Sequence, residues 1–551
     1  MKKNVLFKPL FLFLFIALPL VLFSQNMEKD IDQIMENQYQ KANYGATVLV
    51  AKDGKTIYKK GFGKANVELD IAMMPEHVFE IGSITKQFTA IGILMLLEEG
   101  KLSLDDEITK YIPDYPTQDT KITIHHLLTH TSGIKSYTSI PSLREFARKD
   151  LKVTELIDAF KNEPMDFKPG EQFRYNNSGY VLLGYIIEKV TNASYEDFLQ
   201  KRIFDKLNMK NSYYGSKSRI IKNRASGYQE REDGFANADY ISMTIPYAAG
   251  SIMSTVDDLL LWNKAVRNHK LISKESLAKA FTNYTLNNGD KMNYGYGWFH
   301  NSIKDVPVME HSGGIFGYST QGIYVPSENV YVIILTNCDC DSPSEAANKI
   351  AAIAIGKPYP KPADAIKLSN KELKKWTGAY KFDDGAIRVI TLKGNQLYSQ
   401  RTDSDSEFKI FPLSQNRFFF EDSFAEIIFA EGKQKKAIFK VNMSETKGIE
   451  TDAKLPEPKK EIQLPVETLK KYIGTYELAP NFLIEVTVEG NQIFAQATGQ
   501  SKFEMFAESE DNFFLKVVTA SITFQIDEST KLPKSLTLLQ GGATNIAKKI
   551  K

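Results

Sequence analysis

Ser83 and Lys86 lie three residues apart in FEIGSITKQFTAIGILMLLEEGKL, where a long apolar run begins. A serine hydroxyl becomes nucleophilic when a nearby base takes its proton, and residues i and i+3 share one face of a helix. The pair can therefore be a nucleophile and its base, or a helix cap and a snorkelling lysine. Spacing alone does not decide, because the S-x-x-K pattern recurs. It begins at Ser83, Ser132, Ser276, Ser406 and Ser444.

Two further segments carry residues suited to acyl transfer. Tyr175 begins the one Y-x-N of the chain, Tyr175-Asn176-Asn177, and His311 begins HSGG before a strand-like run. Lys86 or Tyr175 can be the base if an apolar pocket and a neighbouring charge lower its pKa, and the sequence leaves both open. Asn177 would orient Lys86 or the substrate carbonyl. The backbone N–H groups of Ser83 and Gly314 would form an oxyanion hole.

A buried helix must position the first pair. Its apolar residues recur close to helical spacing after Ser83, and Gly100 stands where the helix should end. Ser83 would then lie at or near the helix N-terminus, where free N–H groups and the helix dipole favour negative charge. The apolar positions are Ile84, Phe88, Ile91, Leu94, Met95 and Leu97.

Residues 27 to 355 combine strand-like and helical segments in one domain. GATVLVAKDGKTIYKKGFG predicts a hairpin that turns at Asp53-Gly54, and FGYSTQGIYVPSENVYVIILTN predicts two strands that turn near residues 326 to 329. The intervening GYVLLGYIIEKVT and STVDDLLLWNKAV have helical periods, and SEAANKIAAIAIG predicts a closing helix. This order predicts a sheet assembled from both ends of the domain, with a helical insert.

The rest of the chain contains an internal repeat. A proline-rich linker at 356 to 367 precedes two related segments, 368 to 445 and 464 to 548, which the charged linker 446 to 463 joins. ELKKWTGAY matches TLKKYIGTY, and LKGNQLYSQ matches VEGNQIFAQ, both with an offset of 96 residues. Short alternating segments separated by glycine turns predict a small antiparallel β-barrel-like module in each repeat.

The N-terminus predicts export. Lys2 and Lys3 precede an apolar run of 15 residues, which fits a signal peptide over residues 1 to 25 better than a membrane-spanning helix. Loss of the three lysines in this segment changes the formal charge from +2 to −1. A nearly neutral mature protein, periplasmic or secreted, gives no reason to expect nucleic acid or an anionic membrane surface, and we expect no stable membrane span after the signal is removed. The oligomeric state stays open.

Cysteine and histidine usage predicts neither disulfides nor a metal. Cys338 and Cys340 are two residues apart, a poor spacing for an ordinary disulfide, so we expect two structural thiols. His126 and His130 have i, i+4 spacing next to His125, but no glutamate lies between them as in H-E-x-x-H. We therefore expect no metal and no cofactor.

SITK, YNN and HSGG resemble, in order and rough position, the motifs of the penicillin-recognising serine hydrolases, specifically the class C beta-lactamase-like branch. HHLLTHTSGI, residues 125 to 134, and AAGSIMSTVDDLLLW, residues 248 to 262, are similar to two further segments of that branch. The resemblance implies an α+β fold, an antiparallel sheet flanked by helices with a helical subdomain. The C-terminal repeats resemble the lipocalin-like modules that follow such domains in some D-amino-acid-specific peptidases.

The same resemblance implies a role for each site residue. Ser83 would be the acyl-enzyme nucleophile, Lys86 and Tyr175 the proton-transfer pair, and Asn177 an orienting group. His311 would lie on the strand that borders the site and orient the substrate. True beta-lactamases have lysine there, whose cation binds a substrate carboxylate, whereas an imidazole is mostly neutral at pH 7.

The sequence thus predicts an exported serine hydrolase of small ester or amide substrates, including D-amino-acid peptides, with a cell-wall peptide as a further candidate partner. One alternative is a true beta-lactamase or D,D-carboxypeptidase. Another is a catalytically idle relative that binds peptidoglycan or a partner. Substrate identity and the role of the repeats are not determined by these motifs.

Overall fold

The computed structural model describes residues 27–39, 44–216, 218–231, 234–404, 406–421, 423–442, 444–455, 460–479, 482–518, 520–540 and 543–551. The predicted signal segment, residues 1 to 25, lies outside these described residues. The chain divides into two compact units between Tyr359 and Pro360. None of the described helices is both long and apolar enough to cross a membrane.

The first unit contains a seven-stranded antiparallel sheet of order β3-β2-β1-β12-β11-β10-β9. Strand β1 pairs with β12, with Val48 opposite Ile334, so the prediction of a sheet built from both ends of the domain is confirmed. The strands of this unit are β1 (Gly45–Lys52), β2 (Lys55–Asn66), β3 (Ile71–Ala72), β4 (Phe79–Glu80), β5 (Tyr213–Tyr214), β6 (Tyr228–Arg231), β7 (Gly234–Asn237), β8 (Ile252–Ser254), β9 (Phe299–Ile303), β10 (Val306–Ile315), β11 (Tyr318–Val325) and β12 (Val330–Thr336).

Helices cover both faces of this sheet. Their bounds are α1 (27–39), α2 (Thr85–Glu98), α3 (Ile124–Leu128), α4 (Leu143–Phe146), α5 (Val153–Asp158), α6 (Asn177–Thr191), α7 (Tyr195–Leu199), α8 (Asp205–Leu207), α9 (Tyr247–Gly250), α10 (Val256–Arg267), α11 (Lys274–Ala280) and α12 (Ser344–Ala354). A π-helical turn, Gln200–Phe204, joins α7 to α8.

The apolar sequence of β1 follows from burial on both faces of the sheet. Val48 and Val50 pack with α1 and α12 in one core, whereas Leu49 and Ala51 pack in the core that contains α2. Because side chains alternate along a strand, a strand between two helical layers is apolar at every position. The predicted hairpin turn is confirmed, since Asp53 and Gly54 both have positive φ.

The second unit contains two closed eight-stranded antiparallel barrels, which confirms the predicted fold class. Helix α13 (Asn370–Lys374) precedes the first and α14 (Val466–Lys470) the second. The strands are β13 (Gly378–Phe382), β14 (Ile387–Lys393), β15 (Gln396–Arg401), β16 (Glu407–Pro412), β17 (Arg417–Phe420), β18 (Ala425–Ala430), β19 (Lys436–Val441), β20 (Ser444–Thr451), β21 (Gly474–Ala479), β22 (Phe482–Glu489), β23 (Gln492–Ala497), β24 (Lys502–Ala507), β25 (Asn512–Leu515), β26 (Ala520–Ile526), β27 (Pro533–Gln540) and β28 (Ala543–Lys549).

Equivalent contacts recur in the two barrels. The Tyr380 hydroxyl donates to the Trp376 carbonyl at 3.0 Å, and Tyr476 donates to the Tyr472 carbonyl at 2.8 Å. Strand β20 runs to Thr451, past residue 445 where the first repeat was predicted to end, because its polar Ser444–Thr451 segment pairs with both β13 and β19 to close the barrel.

The cysteine prediction is wrong, because Cys338 and Cys340 form a disulfide. Strand β12 ends at Thr336, and the chain then bends so that the two Cα atoms lie 5.3 Å apart, within the range for bridged cysteines. In a continuing strand the same two Cα atoms would be about 6.6 Å apart, at the upper end of that range. The bend after the strand therefore brings the two cysteines closer together than a continuing strand would.

Candidate active site

Ser83 lies on a 3-10 turn, Gly82–Ile84, which leads directly into helix α2. The expected position at the start of a buried helix is therefore confirmed, and α2 is buried from Thr85 through Leu96. Gly82 has φ +51°, and a Cβ atom there would lie 2.8 Å from the Gly314 nitrogen. Only glycine at 82 lets strand β10 approach the serine this closely.

Lys86 is completely buried and its amine has three partners. The Nζ atom lies 3.0 Å from Ser83 Oγ, 2.8 Å from Asn177 Oδ1 and 2.9 Å from the Ala249 carbonyl oxygen. It also lies 4.8 Å from the centre of the Tyr175 ring. Burial lowers the pKa of Lys86 well below the ordinary lysine value, because a buried ammonium loses its hydration.

Tyr175 lies beside this pair with a neutral phenol. Burial raises the pKa of its hydroxyl, and the nearby Ser83 hydroxyl offsets this only in part. The Tyr175 oxygen is buried and makes no hydrogen bond of ordinary geometry with any described residue. The electrostatic conditions therefore disfavour a tyrosinate, and Lys86 is the group whose pKa moves in the direction a neutral-pH base requires.

Asn177 is held at the first turn of α6 by the loop before it. Asn176 caps the helix by accepting from the Gly179 N–H at 2.9 Å, which fixes the direction of the next side chain. The Asn177 side chain then bridges two segments. Its Oδ1 accepts from Lys86, and its Nδ2 donates to Thr138 Oγ1 at 3.1 Å.

The three histidines of HHLLTHTSGI do not converge on one ligand. One of them supports the loop that carries Tyr175-Asn176-Asn177. His130 Nδ1 accepts from the Asn176 N–H at 3.0 Å, and its ring packs on Tyr175. His126 caps α3 from within, whereas His125 contacts the Tyr296 hydroxyl. The three rings thus have separate partners, and the described residues contain no cluster arranged to hold a metal ion.

The AAGSI segment is hydrogen-bonded to the polar face of α2. Thr89 Oγ1 donates to the Ala248 carbonyl at 2.7 Å, and the Ile252 N–H donates to Thr85 Oγ1 at 3.1 Å. Lys86 lies between these two threonines and reaches the Ala249 carbonyl. The flanking bonds therefore fix the backbone oxygen that holds Lys86.

The two glycines of HSGG have different surroundings. A Cβ atom at Gly313 would lie 2.1 Å from the Ile81 carbonyl oxygen, so a larger residue would push β10 away from the serine. A Cβ atom at Gly314 would meet nothing within 4 Å. Gly314 therefore faces open space, with its backbone beside the Gly82–Ser83 turn, where an oxyanion hole is required.

Comparison with known proteins places this geometry in a family. The profile of the Beta-lactamase family matches residues 27–357, more than half of the chain. The chain belongs to the beta-lactamase family of serine hydrolases. A second profile, a domain of unknown function (DUF3471), matches residues 458–540 in the region of the second barrel.

Relatives of this beta-lactamase-family chain include penicillin-binding proteins. A penicillin-binding protein of Bacillus subtilis (strain 168) is 31% identical over 443 residues, which cover 75% of this chain and 96% of that protein. An octameric penicillin-binding protein homologue from Pyrococcus abyssi is 30% identical, with a TM-score of 0.53 over 77% of this chain and 99% of that one. A D-amino acid amidase from Ochrobactrum anthropi SV3 shares the fold at 23% identity, with a TM-score of 0.53 over 60% and 98%.

His311, which the motif resemblance aligns with a lysine of true beta-lactamases, has a buried ring. Its side chain is 1% exposed, Nδ1 donates to the Ser312 carbonyl at 2.6 Å, and Nε2 accepts from the Tyr294 hydroxyl at 3.2 Å. Burial and the neighbouring Lys86 lower the pKa of His311 to about 3. The ring lies behind Tyr175, with centroids 6.0 Å apart, so in this structure it contacts the site residue rather than the cavity.

The beta-lactamase-family site opens into a cavity of about 140 Å³. Ser83, Asn177 and Gly314 line it, and so do several apolar side chains. Of the site residues predicted from sequence, the structure therefore brings Ser83, Lys86, Tyr175, Asn177 and Gly314 together, and places His311 one layer behind.

Sequence patterns missed three contributors to this site. The Ala249 carbonyl leaves no side-chain signal, although its AAGSI segment resembles the family. Tyr294 is one of many tyrosines, and nothing near it in sequence indicates that it meets His311. Thr138 lies on a short 3-10 turn, Tyr137–Ser139, that only the fold brings to Asn177.

Proposed function

We propose that this protein is an exported serine hydrolase that forms an acyl-enzyme on Ser83 and cleaves small ester or amide substrates, including D-amino-acid peptides. Membership of a serine hydrolase family supports the hydrolase part, and the fold shared with a D-amino acid amidase agrees with the amide part. Export rests on the N-terminal apolar run that follows Lys2 and Lys3.

One observation carries the proposal, namely the three partners of the buried Lys86 amine. A neutral amine has two N–H donors and one lone pair. The Asn177 and Ala249 oxygens only accept hydrogen bonds, so they use the two donors. The lone pair is then left for Ser83, and the serine O–H donates to Lys86 across the 3.0 Å contact.

In the first step Lys86 takes the proton from Ser83 Oγ as that oxygen attacks the substrate carbonyl carbon. The new C–O bond converts the carbonyl into an oxyanion, which the Ser83 and Gly314 N–H groups stabilise. The Lys86 ammonium formed in this step is surrounded by two carbonyl acceptors and by the faces of Tyr175 and Tyr180, 4.8 and 5.5 Å away. These groups offset its loss of water.

In the second step the oxyanion collapses and the bond to the leaving group breaks. The proton held by Lys86 passes to the leaving oxygen or nitrogen, with the neutral Tyr175 phenol as the adjacent relay. A water molecule then attacks the acyl-enzyme, gives its proton to Lys86 and releases the acid. Ser83 recovers its proton, which closes the cycle.

The other functions predicted from the sequence gain less support. Recognition of a substrate carboxylate, as in a beta-lactamase or D,D-carboxypeptidase, requires a cation where His311 is buried and neutral. A catalytically idle relative does not need a buried lysine, which is costly to keep without a role.

The proposal is tested by intact-mass spectrometry after exposure to a fluorophosphonate probe. We expect one covalent adduct on the wild-type protein and none on Ser83→Ala. The matched control is Ser406→Ala, because Ser406 begins another S-x-x-K but is exposed in the first barrel. It should label like the wild type. Absence of any adduct, or equal labelling of Ser83→Ala, would reject the nucleophile.

A further inference from the structure

The cavity next to Ser83 has an apolar wall, defined here as the acyl wall. Its members come from the 3-10 turn that begins at Tyr137, the first residue of α4, the segment before α9, and the turn between β10 and β11. They are Tyr137, Leu143, Ile241, Ile245, Pro246 and Phe316. Ile241 and Ile245 are also part of the main hydrophobic core, so this side of the cavity is a fixed surface.

No described residue that lines the cavity carries a charged side chain. Lys86 lies behind Ser83, and its buried amine is already bound to two carbonyl oxygens. His311 is buried behind Tyr175. A carboxylate in this cavity would lose its hydration without gaining a charged partner, which is costly.

We propose that the acyl wall binds the side chain carried by the substrate's acyl group, next to the scissile carbonyl, and that this side chain is an uncharged apolar group no larger than a benzyl group. The inference rests on the proposed acyl-enzyme function and names its substrate class. Phe316 is assigned as a specificity-determining residue.

The position of the cavity indicates that it holds the acyl part of the substrate. An acyl group bound to Ser83 Oγ must direct its carbonyl oxygen toward the Ser83 and Gly314 N–H groups. Ser83 and Gly314 both line the cavity, and no atom lies within 4 Å of the Cβ position of Gly314. The substituent next to that carbonyl therefore shares the same space as the acyl wall.

The volume of the cavity sets the upper limit on the size of the group that the acyl wall can bind. Its volume is about 140 Å³. An apolar protein cavity of roughly 150 Å³ accommodates a benzene molecule. A phenyl ring or a branched alkyl group of similar volume would fill the space, and a naphthyl ring would exceed it.

Phe316 can be changed without opening the core. It is 39% exposed and lies on the turn between β10 and β11. The next residue anchors this turn, because the Gly317 N–H donates to Asp339 Oδ2 at 3.0 Å. The turn is thus held by a hydrogen bond that does not involve the Phe316 side chain.

The test uses ethyl esters and proton release in a pH-stat, with the full-length protein. Ethyl 4-methylpentanoate and monoethyl succinate have acyl groups of the same shape, and only the second is charged. We expect kcat/KM to be at least about a hundredfold higher for the neutral ester. From acetate to butyrate, kcat/KM should rise about fourfold per methylene, and ethyl phenylacetate should be cleaved well while ethyl 1-naphthylacetate is not.

The two levels of the hypothesis fail differently. Ser83-dependent hydrolysis with equal kcat/KM for the isosteric pair, or with no dependence on acyl size, would overturn the acyl wall and leave the hydrolase intact. If no ester is cleaved and no fluorophosphonate adduct forms, both proposals are overturned.

Variants of Phe316 test whether this residue determines the specificity for the acyl group. Phe316→Lys places a cation in the wall, so the succinate to 4-methylpentanoate ratio of kcat/KM should rise by about tenfold or more. Phe316→Ala enlarges the cavity and should admit the naphthyl ester. Phe408→Lys and Phe408→Ala are the controls, because Phe408 is a 53% exposed phenylalanine of the first barrel. Unchanged ratios in both Phe316 variants would overturn the assignment of that residue.

Discussion

Lys86 shows at the residue scale how a protein keeps an amine neutral. Its side chain is fully buried, and its partners in the described residues are a hydroxyl, an amide oxygen and a backbone carbonyl rather than a carboxylate. Without an opposite charge, burial favours the uncharged form. The unfolded chain, in contrast, holds this lysine protonated up to a pH near 10.4.

This difference predicts a pH-dependent stability. Between the lowered folded-state pKa of Lys86 and the unfolded value of about 10.4, the unfolded state binds up to one more proton than the folded state, so the free energy of unfolding rises with pH by up to about 1.4 kcal/mol per unit. Lys86→Met removes this dependence. We expect the wild-type minus variant difference in the free energy of unfolding, measured by denaturant unfolding between pH 7 and pH 9.5, to rise with pH.

The exposed Lys149→Met is the control for this measurement and should give a difference that does not change with pH. A flat difference for Lys86→Met as well would mean that Lys86 stays protonated in the folded protein, and the proposed base would then be wrong.

The burial of His311 predicts a change in stability at the acidic end of the pH range. Its folded-state pKa is lowered to about 3, mainly by burial, whereas an unfolded histidine titrates near 6.5. As pH falls from 6.5 toward 4, the unfolded state gains a proton that the folded state does not, so stability is lost by about 1.4 kcal/mol per unit.

His311→Phe should make denaturant unfolding less sensitive to acid over this range. The exposed His269→Asn is the control and should retain the wild-type acid dependence. If His311→Phe and the wild type lose stability in parallel, the ring must already take up a proton in the folded protein.

At the scale of elements, the site depends on the close approach of β10 to the turn before α2. Gly82 and Gly313 make this approach sterically feasible, and Thr320 on β11 secures it by donating to the Ile81 carbonyl at 3.1 Å. The proposed oxyanion hole would thus be formed by two elements that are distant in sequence.

Gly82→Ala should therefore reduce kcat/KM for an ester substrate by about a hundredfold or more, the cost of one lost oxyanion donor. The added Cβ atom would lie 2.8 Å from the Gly314 nitrogen and force the strand away. Gly100→Ala is the control, since Gly100 also has positive φ but no atom within 4 Å of its Cβ position. It should lose about 1 kcal/mol of stability and keep its activity. Equal activity losses would indicate general destabilisation.

At the scale of the whole molecule, the contacts of the proposed machinery among the described residues lie within the first unit. The partners of Lys86 come from residues 83, 177 and 249, and the cavity is lined by residues 82 to 316. A chain that ends at Tyr359 should therefore form the fluorophosphonate adduct at the wild-type rate, measured by time-resolved mass spectrometry. Adduct formation that requires the barrels would show that the second unit completes the site.

The sequence by itself determined the helix after Ser83, the hairpin at Asp53-Gly54, the paired strands near residues 318 to 336 and the two repeated barrels. These features depend on local periodicity, turn residues and a repeated pattern, all of which can be read along the chain. The site residues were selected in the same way, because SITK, YNN and HSGG contain residue types suited to acyl transfer.

Only the tertiary structure decided what those residues contact. It assigned the Lys86 donors to Asn177 and Ala249, placed His311 behind Tyr175, bent the chain after β12 to join Cys338 to Cys340, and formed the acyl wall from distant segments. The reason is physical. A pKa, a backbone acceptor and a cavity wall depend on burial and on neighbours brought together by packing, and spacing along a sequence does not specify them.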